Sequence, residues 1–145
     1  MAETVLTNMI MLEKNGRVLV IDRVKRFTGI AFPGGKTEPG ESIYDSAIRE
    51  FREETGLVIS DLESSGFFYW EGEEGYKYFV FLYKAREYTG ELKEATDEGK
   101  VFWLEKEKLP ECRLAPHMEK YLRVFEEEYG ECFCTYKDGY HPHYR

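Results

Sequence analysis

The sequence has no run or stripe of lysine and arginine: its 20 basic residues are scattered among 28 acidic ones, for a formal net charge of −8. A long phosphate backbone would meet net repulsion, so duplex nucleic acid is not an expected partner. Cysteine is scarce as well. Cys112, Cys132 and Cys134 are odd in number and form no C-x-x-C pair, which argues against a disulfide framework and for free thiols in a reducing cytosol. His141 and His143 lie close to Cys132 and Cys134, but their spacing fits no standard zinc pattern. Residues 131–145 are therefore expected to form a solvated C-terminal extension. No apolar run approaches membrane-spanning length, and no basic stretch followed by an apolar one opens the chain, so no membrane role and a cytoplasmic location are expected.

What is present suits one folded domain over residues 1–145, with 42% hydrophobic and 16% aromatic residues to build a core. Thr4–Leu12 and Arg17–Val24 are rich in β-formers and flank Lys14-Asn15-Gly16, whose Asn-Gly pair predicts a hairpin. Gly34–Gly40 is rich enough in glycine and proline to predict a loop. Ser42 three residues before Asp45 reads as a capping box, and Ile43, Ala47, Ile48 and Phe51 give an apolar stripe that stops at Gly56, so a helix is predicted over Ser42–Thr55. Strands are predicted at Ser65–Trp70, Tyr76–Arg86 and Lys100–Leu104, and a second amphipathic helix at Pro116–Tyr129. Strands before, between and after two helices indicate an α+β sandwich rather than a βαβ repeat.

Chemistry concentrates on the first helix. Glu50, Glu53 and Glu54 are spaced three and four apart, so their carboxylates share one face. Two carboxylates about 4 Å apart near a surface repel by roughly 4 kcal/mol, so such a cluster invites a hard divalent cation such as Mg²⁺ or Mn²⁺. A solvated face neutralised by Arg49 and Arg52 would explain the glutamates alone. The Gly-rich loop directly before the helix adds backbone amides and a helix N-terminus, both suited to phosphate.

The segment GGKTEPGESIYDSAIREFREETGL resembles the Nudix box, G-x5-E-x7-R-E-U-x-E-E-x-G-U, where U is a bulky apolar residue. Gly35, Glu41, Arg49, Glu50, Glu53, Glu54 and Gly56 match the fixed positions, and Phe51 and Leu57 the apolar ones, over residues 35–57. At about one in fifteen per fixed residue, chance agreement is on the order of 10⁻⁹ per starting position. The wider order of elements is similar to that of MutT-type oxidised-nucleotide pyrophosphatases. The resemblance implies a mixed β-sheet sandwiched between α-helices and Mg²⁺-dependent cleavage of a nucleotide pyrophosphate bond, with Mn²⁺ as a substitute.

The resemblance further implies that Glu50, Glu53, Glu54 and the Gly34 carbonyl bind the metal, that Arg49 orients the glutamates, and that Glu41 braces the loop-helix junction or joins an outer metal shell. Lys36, Gly35 and Arg23 are candidates for phosphate contacts. A further acidic ligand is expected from the loop before Lys100–Leu104, with Glu98 first and Glu94 or Asp97 as alternates. Glu50 is the first choice for general base and Glu98 the second. Phe27, Phe32, Tyr78 and Trp103 are open candidates for stacking on a base. Where MutT-type enzymes read the purine with an asparagine, this chain has Leu114-Ala115-Pro116-His117, and His117 is either a polar contact or an ordinary surface histidine. The implied substrate is a purine nucleoside triphosphate, with an oxidised one such as 8-oxo-dGTP among the expected forms, handled by a monomer or homodimer. Hydrolysis of an ADP-ribose-like or sugar nucleotide or a dinucleotide, or silent nucleotide sensing, are the alternatives.

Overall fold

The computed structural model describes residues 2–126 and 129–145. The chain begins with strands β1 (Thr4–Lys14), β2 (Arg17–Arg23), β3 (Gly29–Ala31) and β4 (Gly34–Lys36), followed by helix α1 (Ile43–Thr55). Strands β5 (Leu57–Ser60), β6 (Glu63–Glu71), β7 (Lys77–Ala85), β8 (Glu87–Gly90), β9 (Ala95–Thr96) and β10 (Gly99–Glu105) follow. Helix α2 (Met118–Phe125) and strands β11 (Glu131–Thr135) and β12 (His143–Tyr144) end it.

The main sheet runs β12-β11-β6-β7-β1-β2-β10-β9, with β3 on β2 and β4 on β1. It is mixed: β1 runs parallel to β7 and β11 parallel to β6, while β6 and β7 are antiparallel. The β1–β2 turn places Asn15 at φ 53° and Gly16 at φ 76°, the two positive values that its Asn-Gly pair foretells. Strand alternation assigns the two faces. Asn8 bonds to Ser46 on α1, whereas Phe68, of opposite parity in the β1–β7–β6 register, packs edge-on against Tyr121 on α2 with ring centroids 4.4 Å apart. The helices thus cover opposite faces, giving the expected α+β sandwich, and Ile10, Leu12, Phe51, Phe68 and Leu82 are fully buried between layers.

Helix α1 starts as its sequence dictates, because the Ser42 hydroxyl accepts the Asp45 N–H at 3.0 Å. It ends at Gly56, whose φ of 84° suits glycine and whose N–H reaches the Arg52 carbonyl. Helix α2 is shorter than the predicted Pro116–Tyr129. His117 takes a left-handed conformation at φ 73° and delays the start to Met118, the helix stops at Phe125, and Glu127 and Glu128 of the predicted span lie outside the described residues.

Gly34–Gly40 is not all loop, since Gly34–Lys36 forms β4 against β1. Its glycines serve close approach rather than looseness: a Cβ on Gly34 would run into the Asn8 carbonyl, and one on Gly35 into the Glu50 carboxylate. Residues 131–145 are not a solvated extension either. β11 joins the main sheet beside β6, and Cys132 and Cys134 are wholly buried beneath the α2 layer with their sulfurs 3.9 Å apart. His143 pairs with Phe133, on the opposite face of β11, and bonds to Asp138 at 2.6 Å, so the cysteines and histidines do not converge on one ligand site.

Candidate active site

Arg49 is the hub of the box. Its Nε and Nη2 donate to both Glu41 oxygens at 2.7 and 2.9 Å, a forked pairing that lysine cannot reproduce. Nη2 also reaches the Lys36 carbonyl at 3.0 Å, tying the helix to β4. Nη1 donates to Glu50 at 2.9 Å and to Glu53 at 3.2 Å. Glu41 in turn accepts the Glu38 N–H at 3.0 Å, and its hydrogen bonds with Arg49 hold its carboxyl below the usual carboxylate range. The guanidinium therefore sets both the loop and two of the glutamates.

A second clamp escaped the sequence reading. Asn8 is buried on β1; its Nδ2 donates to Ser46 Oγ at 2.9 Å and its Oδ1 accepts the Gly35 N–H at 3.2 Å. One amide thereby locks strand, glycine segment and helix together. An amide side chain beside Thr7 inside the otherwise apolar stretch Leu6–Leu12 was its only sequence signal.

Glu54 is the electrostatic anomaly. Its Oε2 is buried and has no hydrogen-bond partner. Burial and then the nearby Glu50 charge push its carboxyl up to about 8, with Arg23 and the Gly34 amide pulling the other way. Burial likewise raises Glu50, against the opposing hydrogen bond from Arg49. An orphaned buried carboxylate oxygen is costly unless a ligand completes it.

Arg23 and Glu98 join the same cluster: they form a 3.6 Å ion pair, and both act electrostatically on Glu54. The alternates Glu94 and Asp97 are exposed to solvent. Lys36 is exposed at the end of β4, and Glu53 extends outward from α1. Among the described residues no three acidic, histidine or cysteine side chains already converge as a closed cation cage. That openness accords with like charges holding apart and with Arg49 retaining one Glu50 oxygen. The oxygen-only donors and the unpartnered Glu54 atom fit a hard divalent cation.

The stacking candidates separate. Phe32 is core, 2% exposed and edge-on to Phe125, so it offers no face to a ligand. Trp103 is engaged by Tyr88, and Phe27 projects from the β2–β3 connection at 65% exposure. Tyr78 lies half-buried on the α2 side of the sheet, directly across from Trp70. His117 is not an ordinary surface residue: it is half-buried, its ring centre is 4.8 Å from that of Trp70, and burial lowers its pKa.

A NUDIX domain family model matches residues 4–125, almost the whole of the fold around this site. The chain belongs to the Nudix family. It is 35% identical to the uncharacterised Nudix hydrolase YvcI of Bacillus subtilis (strain 168) over 110 residues, 73% of this chain and 69% of that one. It is 32% identical to the oxidized purine nucleoside triphosphate hydrolase of Danio rerio over 109 residues, 72% and 69% of the two chains. The crystal structure of the mMutator MutT protein from Bacillus halodurans superposes with a TM-score of 0.78 at 27% identity, covering 97% of this chain and 96% of that one. The chain is thus a MutT-like Nudix hydrolase, a member of a family that works on small nucleotide compounds with divalent metal ions.

Proposed function

We propose that this Nudix hydrolase is a Mg²⁺-dependent purine nucleoside triphosphate pyrophosphatase that releases a nucleoside monophosphate and pyrophosphate. The observation that carries the reading is the buried, unpartnered Glu54 oxygen set beside Glu50, Glu98 and the β4 strand. Glu50, Glu53, Glu54 and Glu98, with the Gly34 carbonyl, would hold the cation. Bound there, Mg²⁺ supplies Lewis-acid polarisation and neutralises charge on the pyrophosphate. Lys36 and Arg23 bind phosphate oxygens; the Gly35 N–H, expected from the sequence to do the same, is instead taken by Asn8 Oδ1. Glu50, with one oxygen fixed by Arg49 and its proton affinity raised by burial, accepts the proton of the attacking water.

The distance available supports a mononucleotide. From β4 the sheet steps through β1 and β7 to β6, three spacings of about 4.8 Å or roughly 14 Å in all, the reach of an extended nucleoside triphosphate. On the α2 face this path runs from Lys36 past Thr7 and Val80 to Phe68, with Trp70 two residues further along β6 and Tyr78 directly across from it. Phosphates at β4 therefore bring a base to the aromatic pair Trp70 and Tyr78. The name of the Danio rerio relative agrees with a purine triphosphate substrate.

The test is a comparison of kcat/KM for 8-oxo-dGTP, the ordinary dNTPs, ADP-ribose, a nucleotide sugar and a dinucleotide, with products separated by chromatography. A purine triphosphate should lead and yield pyrophosphate, and EDTA should abolish turnover. A lead of more than about tenfold for ADP-ribose or the sugar nucleotide, about 1.4 kcal/mol in transition-state binding, would reject the triphosphate reading.

A further inference from the structure

Asn8 is 4% exposed on β1, and its neighbours dictate which way its amide faces. The Ser46 hydroxyl donates to the Ile43 carbonyl at 2.7 Å, which commits its proton, so its oxygen accepts from Asn8 Nδ2, 2.9 Å away. Oδ1 is then left to accept the Gly35 N–H at 3.2 Å. A trans peptide is planar and its carbonyl points opposite to its N–H, so holding the Gly35 N–H toward β1 turns the Gly34 carbonyl away from β1. Strand geometry agrees: the N–H and carbonyl of one strand residue point to the same side, and the Gly34 N–H acts on the Glu54 carboxylate. The Glu50 side chain occupies the space that a Cβ on Gly35 would take, which confines the same peptide from the helix side. The hydrogen-bond chain Ile43–Ser46–Asn8–Gly35 thus ends on the peptide whose carbonyl looks toward the glutamates.

We propose that Asn8 is a positioning residue for the divalent cation: by fixing the plane of the Gly34–Gly35 peptide it aims the Gly34 carbonyl into the site, so that an amide touching neither metal nor substrate sets part of the metal affinity. The inference rests on the reading above, which puts the cation beside Glu54, and goes on to say what orients its one uncharged ligand. A glutamate side chain can swing to meet a cation. A carbonyl in a paired strand cannot, so its direction has to be set beforehand by what holds its peptide. Without an acceptor at Oδ1 that peptide loses its restraint from the Asn8 side chain, and the carbonyl no longer has a fixed aim.

The test uses the full chain made with glycine carrying carbon-13 at its carbonyl and titrated with Mn²⁺ in the absence of nucleotide. Wild type, Asn8→Leu, Asn8→Asp and Ser46→Ala are compared, with thermal melts to show that each is folded. Electron-nuclear double resonance of the wild type should show the carbon coupling of a glycine carbonyl bound directly to Mn²⁺. Asn8→Leu, which has no acceptor, should lose that coupling and bind Mn²⁺ about tenfold more weakly, the usual scale for a partner that orients a metal ligand. Asn8→Asp keeps an acceptor for the Gly35 N–H and should retain the coupling. Ser46→Ala frees the Asn8 amide to turn over and should weaken Mn²⁺ by about threefold, a smaller loss because the acceptor is still present part of the time. A wild type without the coupling would overturn the assignment, as would an Asn8→Leu chain, or a Ser46→Ala chain if Asn8→Leu does not fold, that keeps both coupling and affinity. Because no nucleotide is present, failed triphosphate turnover alongside the expected coupling would count against the proposed reaction alone. Triphosphate turnover without that coupling would count against this inference alone.

Discussion

Glu50, Glu53 and Glu54 stand on neighbouring turns of α1, whereas Cys132, Cys134, His141 and His143 are spread over β11, β12 and the turn between them. Both regions gather ligand-type side chains within a short stretch of sequence, and their geometry parts them. At the box, helical spacing turns the carboxylates to one side, and β4, Arg23 and Glu98 come up against them. At the C-terminus, strand alternation sends the cysteines toward α2 and His143 to the opposite face. Buried polar atoms differ accordingly: the cysteine sulfurs partner one another, while Glu54 Oε2 has no partner. A cluster in sequence becomes a site only where the backbone aims its members at one point and leaves an unmet valence there.

Loosening the box should sharpen this contrast most. Arg49→Lys keeps the charge but loses the fork that grips Glu41 and the third contact at Lys36, so kcat/KM should fall by on the order of tenfold or more through misplaced glutamates. Steady-state kinetics with the best substrate of the panel would check it, and activity within twofold of wild type would remove Arg49 from its orienting role.

The smallest effect belongs to the C-terminal region. Cys132→Ala removes a buried sulfur and leaves a small cavity, so it should lower stability by about 1 kcal/mol while kcat/KM stays within about twofold. A denaturant melt beside the same kinetic assay separates the two. A large loss of turnover at unchanged stability would break the contrast, because the cysteine side of the sheet would then take part in chemistry.

Much of this was legible because local rules and tertiary structure agree. Ser42 and Gly56 bound α1 by capping chemistry, Asn15-Gly16 makes its hairpin, and the glutamate spacing gives the shared face. Glu98 was suggested by the resemblance; it pairs with Arg23 and acts electrostatically on Glu54. The misses come from non-local partners. Gly34–Lys36 has poor strand propensity and becomes β4 because β1 pairs with it and Glu50 fills the space beside Gly35. Nothing within residues 131–145 discloses that β11 will lie parallel to a strand some sixty residues earlier, so burial of Cys132 and Cys134 was invisible. Asn8 is one of two polar letters, with Thr7, in an otherwise apolar run, and its two partners lie 27 and 38 residues away.

The central claim is that Glu54 is kept buried and unpaired for a cation, and thermal melts of wild type and Glu54→Gln with and without Mg²⁺ test it most directly. Without metal, the neutral amide should be the more stable side chain, because it relieves a desolvated carboxylate and its repulsion with Glu50. With Mg²⁺, the wild type should gain several degrees in Tm while Glu54→Gln responds little, reversing the order, and turnover of the variant should be lower by on the order of 10²-fold. A Glu54→Gln variant that is less stable than wild type without metal and still responds fully to Mg²⁺ would contradict the account.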